Sequence, residues 1–173
     1  MVVKKLVLVL LVVAAVACVA VPAMAWDPAK QKDLGQDGVK MQWYLLDYGT
    51  KENGTPFAVV RKYYTNETIK RETIDLLMSK YTLSPEIAGS LYFTEYEYEY
   101  SKDGKQFAVA YLRHYDMLGN EIYGTVYDDS SDAVKKAFVL VDPKSIPGKA
   151  KESVMPAPAP QKAPAKKAPA KKK

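Results

Sequence analysis

The chain has 173 residues, a formal net charge of +5, a single cysteine and a single histidine. One cysteine excludes an internal disulfide framework, and one histidine excludes metal sites built from several imidazoles. Residues 26–143 carry 14 basic and 19 acidic side chains, a net −5, whereas residues 144–173 carry 9 basic and 1 acidic, a net +8. The positive charge therefore belongs to the C-terminal tail, and it does not predict a nucleic-acid-binding domain.

Residues 1–25 are predicted to be a bacterial export signal. Two lysines precede an apolar run at residues 6–21, and Ala23-Met24-Ala25 forms a small-x-small cleavage site, so that the mature chain begins at Trp26. The alternative is a lipoprotein signal with a lipidated Cys18. Either form predicts an exported protein, located in the periplasm or on the outer cell surface.

Residues 26–155 are predicted to form one domain without cysteine. After a polar lead-in at residues 26–40, two runs with apolar residues on both faces predict strands at Met41 to Tyr48 and Phe57 to Tyr64. Because both faces are apolar, we expect much of this sheet to be covered on both sides.

The next segment predicts helices. Apolar residues recur at helical spacing from Thr65 to Tyr81, and Thr65 or Asn66 is a suitable N-cap. A second, short helix is expected to start at Ser84-Pro85-Glu86 and to end at Gly89.

Leu91 to Tyr127 is predicted to form three antiparallel strands joined by two turns. Asp103-Gly104 between alternating runs is typical of a type I′ hairpin turn, and Asp116 to Gly119 suits the second turn. The resulting register pairs Tyr96 with Tyr111 and Arg113 with Tyr123. It places the tyrosines on one face and small residues on the other, where a helix is expected to approach closely.

The C-terminal region predicts less regular structure. Phe138 to Val141 is expected to be a core strand, and Ser145 to Met155 a short helix weakened by Pro147-Gly148. From Pro156 the chain contains only Pro, Ala, Lys and one Gln, which predicts a disordered tail with a polyproline tendency. The chain as a whole predicts an α+β fold, in which a mainly antiparallel sheet of about five to six strands carries one or two packed helices.

No catalytic constellation, cofactor motif or metal site is predicted. His114 lies within a strand, and no nucleophile-elbow pattern accompanies it. The alternating Glu95, Glu97 and Glu99 are either paired carboxylates or, more typically, charges that protect an edge strand from pairing with another chain. We therefore expect a protein without enzymatic activity.

The tyrosine face of the meander has two interpretations. Aromatic residues suit a half-buried sheet surface, which makes the face part of the core. Tyrosine is also enriched at protein interfaces, which makes the face a contact surface. The candidate contact residues are Tyr96, Tyr98, Tyr100, Tyr111, Arg113, Tyr115 and Tyr123.

The lysine-rich tail predicts an electrostatic tether to an anionic envelope polymer or lipid surface. The alternative is a solvated spacer. The candidate tether residues are Lys162, Lys166, Lys167, Lys171, Lys172 and Lys173.

Four segments resemble the surface-adhesin protein E-like family of exported bacterial proteins: WYLLD at Trp43 to Asp47, VRKYY at Val60 to Tyr64, YLRHYDMLGNEIYGTV at Tyr111 to Val126 and FVLVDPKSIPGKA at Phe138 to Ala150. The resemblance covers residues 41–155 and implies a curved sheet with a C-terminal helix on its concave side, in a homodimer. It also implies adhesion to host matrix or plasma proteins. The chain lacks the cysteine pair that tethers the terminal helix in such proteins, and no individual binding residue carries over. An exported binding or adhesion module is therefore expected, and an envelope-structural protein held by its tail is the alternative.

Overall fold

The computed structural model describes residues 27–127 and 136–156. Seven strands form one curled antiparallel sheet, a half-barrel: β1 (Lys32–Gln36), β2 (Gln42–Thr50), β3 (Pro56–Tyr63), β4 (Phe93–Tyr100), β5 (Gln106–Tyr115), β6 (Glu121–Val126) and β7 (Val139–Leu140). The first six lie side by side in chain order, and β7 pairs with the start of β5. The predicted α+β class with a mainly antiparallel sheet is confirmed.

Three α-helices accompany the sheet: α1 (Glu67–Tyr81), α2 (Pro85–Gly89) and α3 (Ile146–Val154), and a short 3₁₀ turn at Pro28–Lys30 precedes β1. Asn66 caps α1 by accepting a hydrogen bond from the Thr68 backbone N–H at 3.0 Å, and Ser84 caps α2. Both cap predictions are confirmed, since a side-chain oxygen at this position satisfies a backbone donor that the helix itself cannot.

The helices cover one face of the sheet, which we call the inner face. The buried core there comprises Leu34, Met41, Trp43, Leu45, Ala58, Val60, Tyr64, Leu77, Ala88, Leu91, Tyr98, Tyr100, Ile146 and Ala150. Helix α3 contacts β1, β2 and β3, and the Tyr100 hydroxyl donates to the Pro147 carbonyl at 2.8 Å. The terminal helix therefore closes the half of the inner face that the first three strands form.

Pro147-Gly148 supports α3 rather than weakening it, so that part of the prediction is wrong. Pro147 lies in the first turn, where its missing N–H would have no partner in any case. Gly148 packs directly on the chain before the helix, because a Cβ there would lie 2.2 Å from the Asp142 carbonyl oxygen.

One extra residue in β5 changes the predicted register. Tyr98 lies opposite Val109 as expected, but Glu97 lies opposite Tyr111, so Ala110 forms a β-bulge. A second irregularity in β6 places Arg113 opposite Gly124 instead of Tyr123. Since side chains alternate between faces, each shift moves the following residues to the other face. The prediction that the meander tyrosines share one face is therefore wrong.

Four further expectations are corrected by the structure. The lead-in contains β1, an edge strand of which only Leu34 is buried. The segment expected to be a core strand is exposed at Phe138, Val139 and Leu140. The helices pack on the tyrosine side of the sheet at Tyr98 and Tyr100, and not over the small residues. Leu76, which is at the predicted helical spacing, is half exposed on α1.

The first meander turn has a different hand from the predicted one. Gly104 has a φ of +67°, but Asp103 is not among the described residues with positive φ, as a type I′ turn would require. Instead the Gly104 N–H donates to the Ser101 carbonyl at 2.8 Å, so the turn spans Ser101 to Gly104. A Cβ at Gly104 would also lie 3.1 Å from the Met155 sulfur, next to the end of α3.

Replacing Gly104 by Val is expected to lower the free energy of unfolding by about 1 kcal/mol or more, because a β-branched residue is strained at positive φ. Urea denaturation followed by circular dichroism measures this. Gly38→Val is the control, since Gly38 has open space around it and no positive φ. Equal midpoints for the two variants would contradict the strain at this turn.

Candidate binding faces of the sheet

The other face of the sheet, which we call the outer face, carries a cluster of aromatic rings. We define the aromatic patch as Tyr44, Tyr63, Tyr92, Phe93 and Tyr115. The Tyr63 ring centroid lies 5.8 Å from that of Tyr44 and 5.7 Å from that of Tyr92, and both pairs meet edge to face. Phe93 stacks on Tyr115 at 4.9 Å. These are favourable geometries between ring quadrupoles, so the patch is a preformed surface.

An ion pair holds the middle of the aromatic patch. The Arg61 Nε and Nη2 groups donate to the same oxygen of Glu95 at 3.0 and 2.6 Å, and Nη1 donates to the Tyr63 hydroxyl at 3.2 Å. The guanidinium lies 4.1 Å from the Phe93 ring centroid. Glu95 is only 4% exposed. Because charge-assisted bonds of this kind fix both partners, Arg61 is held rigidly among the rings.

An open pocket of about 550 Å³ lies against this patch. Its lining residues are Gln31, Gln42, Tyr44, Leu46, Arg61, Tyr63, Thr65 and Tyr92. The pocket thus combines aromatic walls with a few hydrogen-bonding groups, which is the usual composition of a ligand or side-chain pocket.

The three alternating glutamates do not protect an edge. Strand β4, which carries them, lies between β3 and β5 in the centre of the sheet. Glu97 pairs with Lys51, and Glu99 pairs with both Lys51 and Lys136. Burial by itself would raise the pKa of Glu99, but the hydrogen bonds from the two lysines outweigh it and lower that pKa. The carboxylates therefore neutralise cations on the outer face, and the edge interpretation is wrong.

A polar row crosses the inner face of the sheet. Register pairs connect Trp43, Lys62, Thr94, His114 and Tyr123 in succession through five strands, from β2 to β6. The row lies beneath α1, whose last residue stacks a tyrosine ring on Tyr123 at 4.1 Å between centroids. It places an amine, a hydroxyl and an imidazole next to one another within the core.

Hydrogen bonds satisfy part of this row. The Thr94 hydroxyl lies 2.7 Å from the Tyr64 hydroxyl and 2.8 Å from His114 Nδ1. Burial, together with the nearby Lys62 charge, lowers the pKa of His114 to about 4, so its imidazole is neutral at pH 7. The side chain therefore acts as a structural hydrogen-bonding group in the described core.

Lys62 has aromatic rings rather than a carboxylate around it. Its Nζ lies 4.6 Å from the Tyr64 ring centroid, 5.5 Å from Tyr96 and 5.8 Å from Trp43. Burial lowers the pKa of Lys62 to about 8, although the more distant charge of Asp37 acts in the opposite direction. Cation–π attraction partly replaces the lost hydration.

The structure separates the residues that the sequence grouped as contact candidates. Tyr98 and Tyr100 lie in the core, at 5% and 1% exposure, and cannot reach a partner there. Tyr96 is half buried on the same inner face, where burial raises its pKa. Tyr123 also faces inward. Tyr111, Arg113 and Tyr115 lie on the outer face, half buried and accessible, with Arg113 over the Tyr111 ring at 4.8 Å.

Of the aromatic patch, the sequence analysis named only Tyr115 as a contact candidate. It missed Tyr44, Tyr63, Tyr92 and Phe93. The only sequence signal for Tyr44 and Tyr63 was the pattern of apolar residues on both faces of β2 and β3. This pattern indicates that both faces are covered, but it does not show which side chains cluster. Three predicted features lie outside the described residues: the export signal, Cys18 and the tail lysines.

Comparison of the chain with protein-family models, with curated proteins and with solved structures found no match. Within residues 27–127 and 136–156, no group of three or more His, Cys, Asp or Glu side chains is arranged to hold a metal ion. No helix in the same ranges is long and apolar enough to span a membrane.

His114 is the only histidine, which makes its titration directly observable. With its pKa lowered to about 4, its NMR signals should stay those of neutral imidazole as the pH falls from 7 to about 5. In the unfolded chain the imidazole binds a proton below about pH 6.5, whereas in the folded chain it does so only below about pH 4. The contribution of His114 to the free energy of unfolding is therefore fully present above pH 6.5, and it is lost as the pH decreases from 6.5 to 4.

The pH dependence of urea unfolding checks this effect. Between pH 4 and 6.5, His114→Gln should show a flatter stability profile than the wild type, because glutamine does not titrate. An imidazole that titrates near its ordinary pKa in the folded protein would contradict the buried placement.

Proposed function

We propose that the chain is an exported bacterial binding module without catalytic activity, and that it binds a protein partner through the outer aromatic patch. One observation carries the proposal: the helices cover the inner face, whereas the outer face presents adjoining aromatic rings beside an open pocket. Tyr92 remains 44% exposed at the rim of that pocket.

The chemistry of the patch fits protein recognition. Tyrosine offers a large contact area with few rotatable bonds and a hydroxyl that tolerates water. The neighbouring Arg61 uses three of its five N–H groups within the domain, and the residue lines the pocket. Arginine and tyrosine together are the residues most often found in binding hot spots.

The resemblance to protein E-like adhesins favours host matrix or plasma proteins as partners. The charge division supports the alternative, an envelope-structural protein. The residues after Met155 carry six lysines and no acidic side chain, a net +6, whereas residues 26–155 carry 17 basic and 20 acidic side chains, a net −3. Screened electrostatic attraction would therefore draw the tail to an anionic polymer or lipid surface. The two functions differ in which part of the chain binds.

A retention assay distinguishes these functions. The mature chain and a form truncated after Met155 are immobilised and exposed to purified matrix and plasma proteins, and separately to cell-wall material. Adhesion predicts that both forms retain a matrix or plasma protein, and that Tyr92→Ser or Tyr44→Ser weakens binding by about tenfold or more.

Leu76→Ser is the matched control, because Leu76 is 48% exposed on α1, which packs on the inner face, whereas the patch lies on the outer face. Retention of cell-wall material by the full-length form only, with a loss at high salt, would support the tether. Retention of a protein partner that both tyrosine variants keep unchanged would refute the role of the aromatic patch.

We also propose that the chain is a homodimer. The exposed apolar residues that support this lie along the β6–β7 side of the sheet: Val126 is 60% exposed, Val139 50% and Leu140 77%. An apolar sheet margin of this kind favours pairing with another chain, and an exported protein gains solubility if a second copy covers it.

Light scattering at micromolar concentration is expected to give a dimeric mass for the mature chain, and Leu140→Lys should shift the equilibrium toward monomer. Met117→Lys serves as the control, since Met117 is 71% exposed in the β5–β6 turn. A monomeric wild-type mass would exclude the dimer, and a dimer unaffected by Leu140→Lys would place its interface elsewhere.

A further inference from the structure

The inner face contains a half-buried cation, Lys62, on which the charge of Asp37 acts only from a distance. Of the half-buried cations in the strands, Arg61 pairs with Glu95 and Arg113 with Glu121. Lys62 has no carboxylate within 4.0 Å and no hydrogen-bond acceptor among the described residues. A charge in aromatic surroundings is costly unless it is paired, so this site favours an anion from outside the domain.

A second donor lies on the other side of Thr94. His114 Nδ1 is hydrogen-bonded to the Thr94 hydroxyl, and Nε2 has no partner in the described part of the chain. In the neutral tautomer in which Thr94 donates to Nδ1, Nε2 carries the N–H and is a free donor. In those ranges every fully buried side-chain nitrogen and oxygen has a partner. It follows that the His114 Nε2 and the Lys62 amine both keep some access to solvent, and we call the partly exposed part of the inner face around them the inner cleft.

The walls of the cleft are apolar and incompletely sealed. Tyr96 lies next to Lys62, and Leu112 and Val109 follow on the neighbouring strand, opposite Tyr96 and Tyr98. These three side chains remain half buried, although they are on the face that the helices cover. Helix α3 packs on β1 to β3 instead, so this half of the inner face keeps an apolar track that starts at the two donors.

We propose that this inner cleft binds an amphiphilic monocarboxylate, with the carboxylate accepting from Lys62 and His114 and the apolar body lying along Tyr96, Leu112 and Val109. One ammonium and one neutral N–H balance a single negative charge. A phosphate dianion would add a second charge, whereas among the described residues the cation whose charge acts on His114 is Lys62 alone. The pKa of about 8 leaves Lys62 mainly protonated at pH 7, as the site requires.

Trp43 reports directly on this site, because its ring centroid lies 5.8 Å from the Lys62 amine. The only other tryptophan is Trp26, so the mature chain with Trp26→Phe has a single tryptophan, whose emission is excited selectively over that of the tyrosines. This protein is titrated with sodium decanoate at pH 7, and separately with decanol, which has the same chain length and no charge.

Decanoate is expected to change the Trp43 emission in a saturable manner and to bind about 10- to 100-fold more tightly than decanol, since a charge-assisted hydrogen bond is lost with the alcohol. Lys62→Gln should remove this preference, and Lys62→Arg should retain it. Lys105→Gln is the control, because that side chain is 79% exposed on the β4–β5 turn.

Three results would overturn the proposal: no saturable response to decanoate, equal affinity for decanoate and decanol, or undiminished decanoate binding by a Lys62→Gln protein that circular dichroism shows to be folded. The comparison of the two probes uses the unsubstituted site, so it decides the question even if the Lys62 variants fail to fold. The outer aromatic patch takes no part in this binding.

Discussion

The arrangement of both faces depends on one extra residue in β5. Ala110 forms a bulge opposite the Glu97–Tyr98 step, and every residue after it changes face relative to β4. Tyr111, Arg113 and Tyr115 thereby join the glutamates on the outer face, while Leu112 and His114 turn inward. Without the bulge, His114 would share the outer face with Glu95, and the polar row could not reach Thr94. Because strand side chains alternate strictly, a single insertion is enough to divide one aromatic surface into two.

The two faces of the sheet stabilise their buried charged groups in different ways. On the outer face each glutamate of β4 has a cation: Glu95 has Arg61, Lys51 serves both Glu97 and Glu99, and Lys136 also serves Glu99. On the inner face Lys62 is stabilised by aromatic rings, and His114 remains neutral, with its lowered pKa. These ion pairs balance the charge of the β4 glutamates, whereas Lys62 has no direct ion pair among the described residues.

Helix α3 gives the half-barrel its asymmetry. It packs against β1 to β3, and Gly148 allows close contact with the Asp142 carbonyl. Lys149 donates to the Leu34 carbonyl at 2.8 Å, and Lys151 donates to the Gly104 carbonyl at 3.2 Å. The helix thus ties the first strand to the β4–β5 turn without a disulfide. On the half of the inner face that β4 to β6 form, α1 stacks a tyrosine on Tyr123, and Tyr96 and Leu112 stay partly exposed.

The sequence by itself determined the elements that local physics controls. Apolar patterns and turn residues predicted six of the seven strands in the described residues, and the caps Asn66 and Ser84 located two helices, because these signals act within a few residues. Tertiary structure decided the rest. A bulge has no reliable local signature, since Ala110 fits a regular strand equally well. β1 is a strand only because β2 offers it a partner, and the exposure of β7 does not follow from its apolar sequence. The clustering of Tyr44, Tyr63 and Tyr92 and the isolation of Lys62 depend on pairing across the sheet, which no single segment of the chain contains.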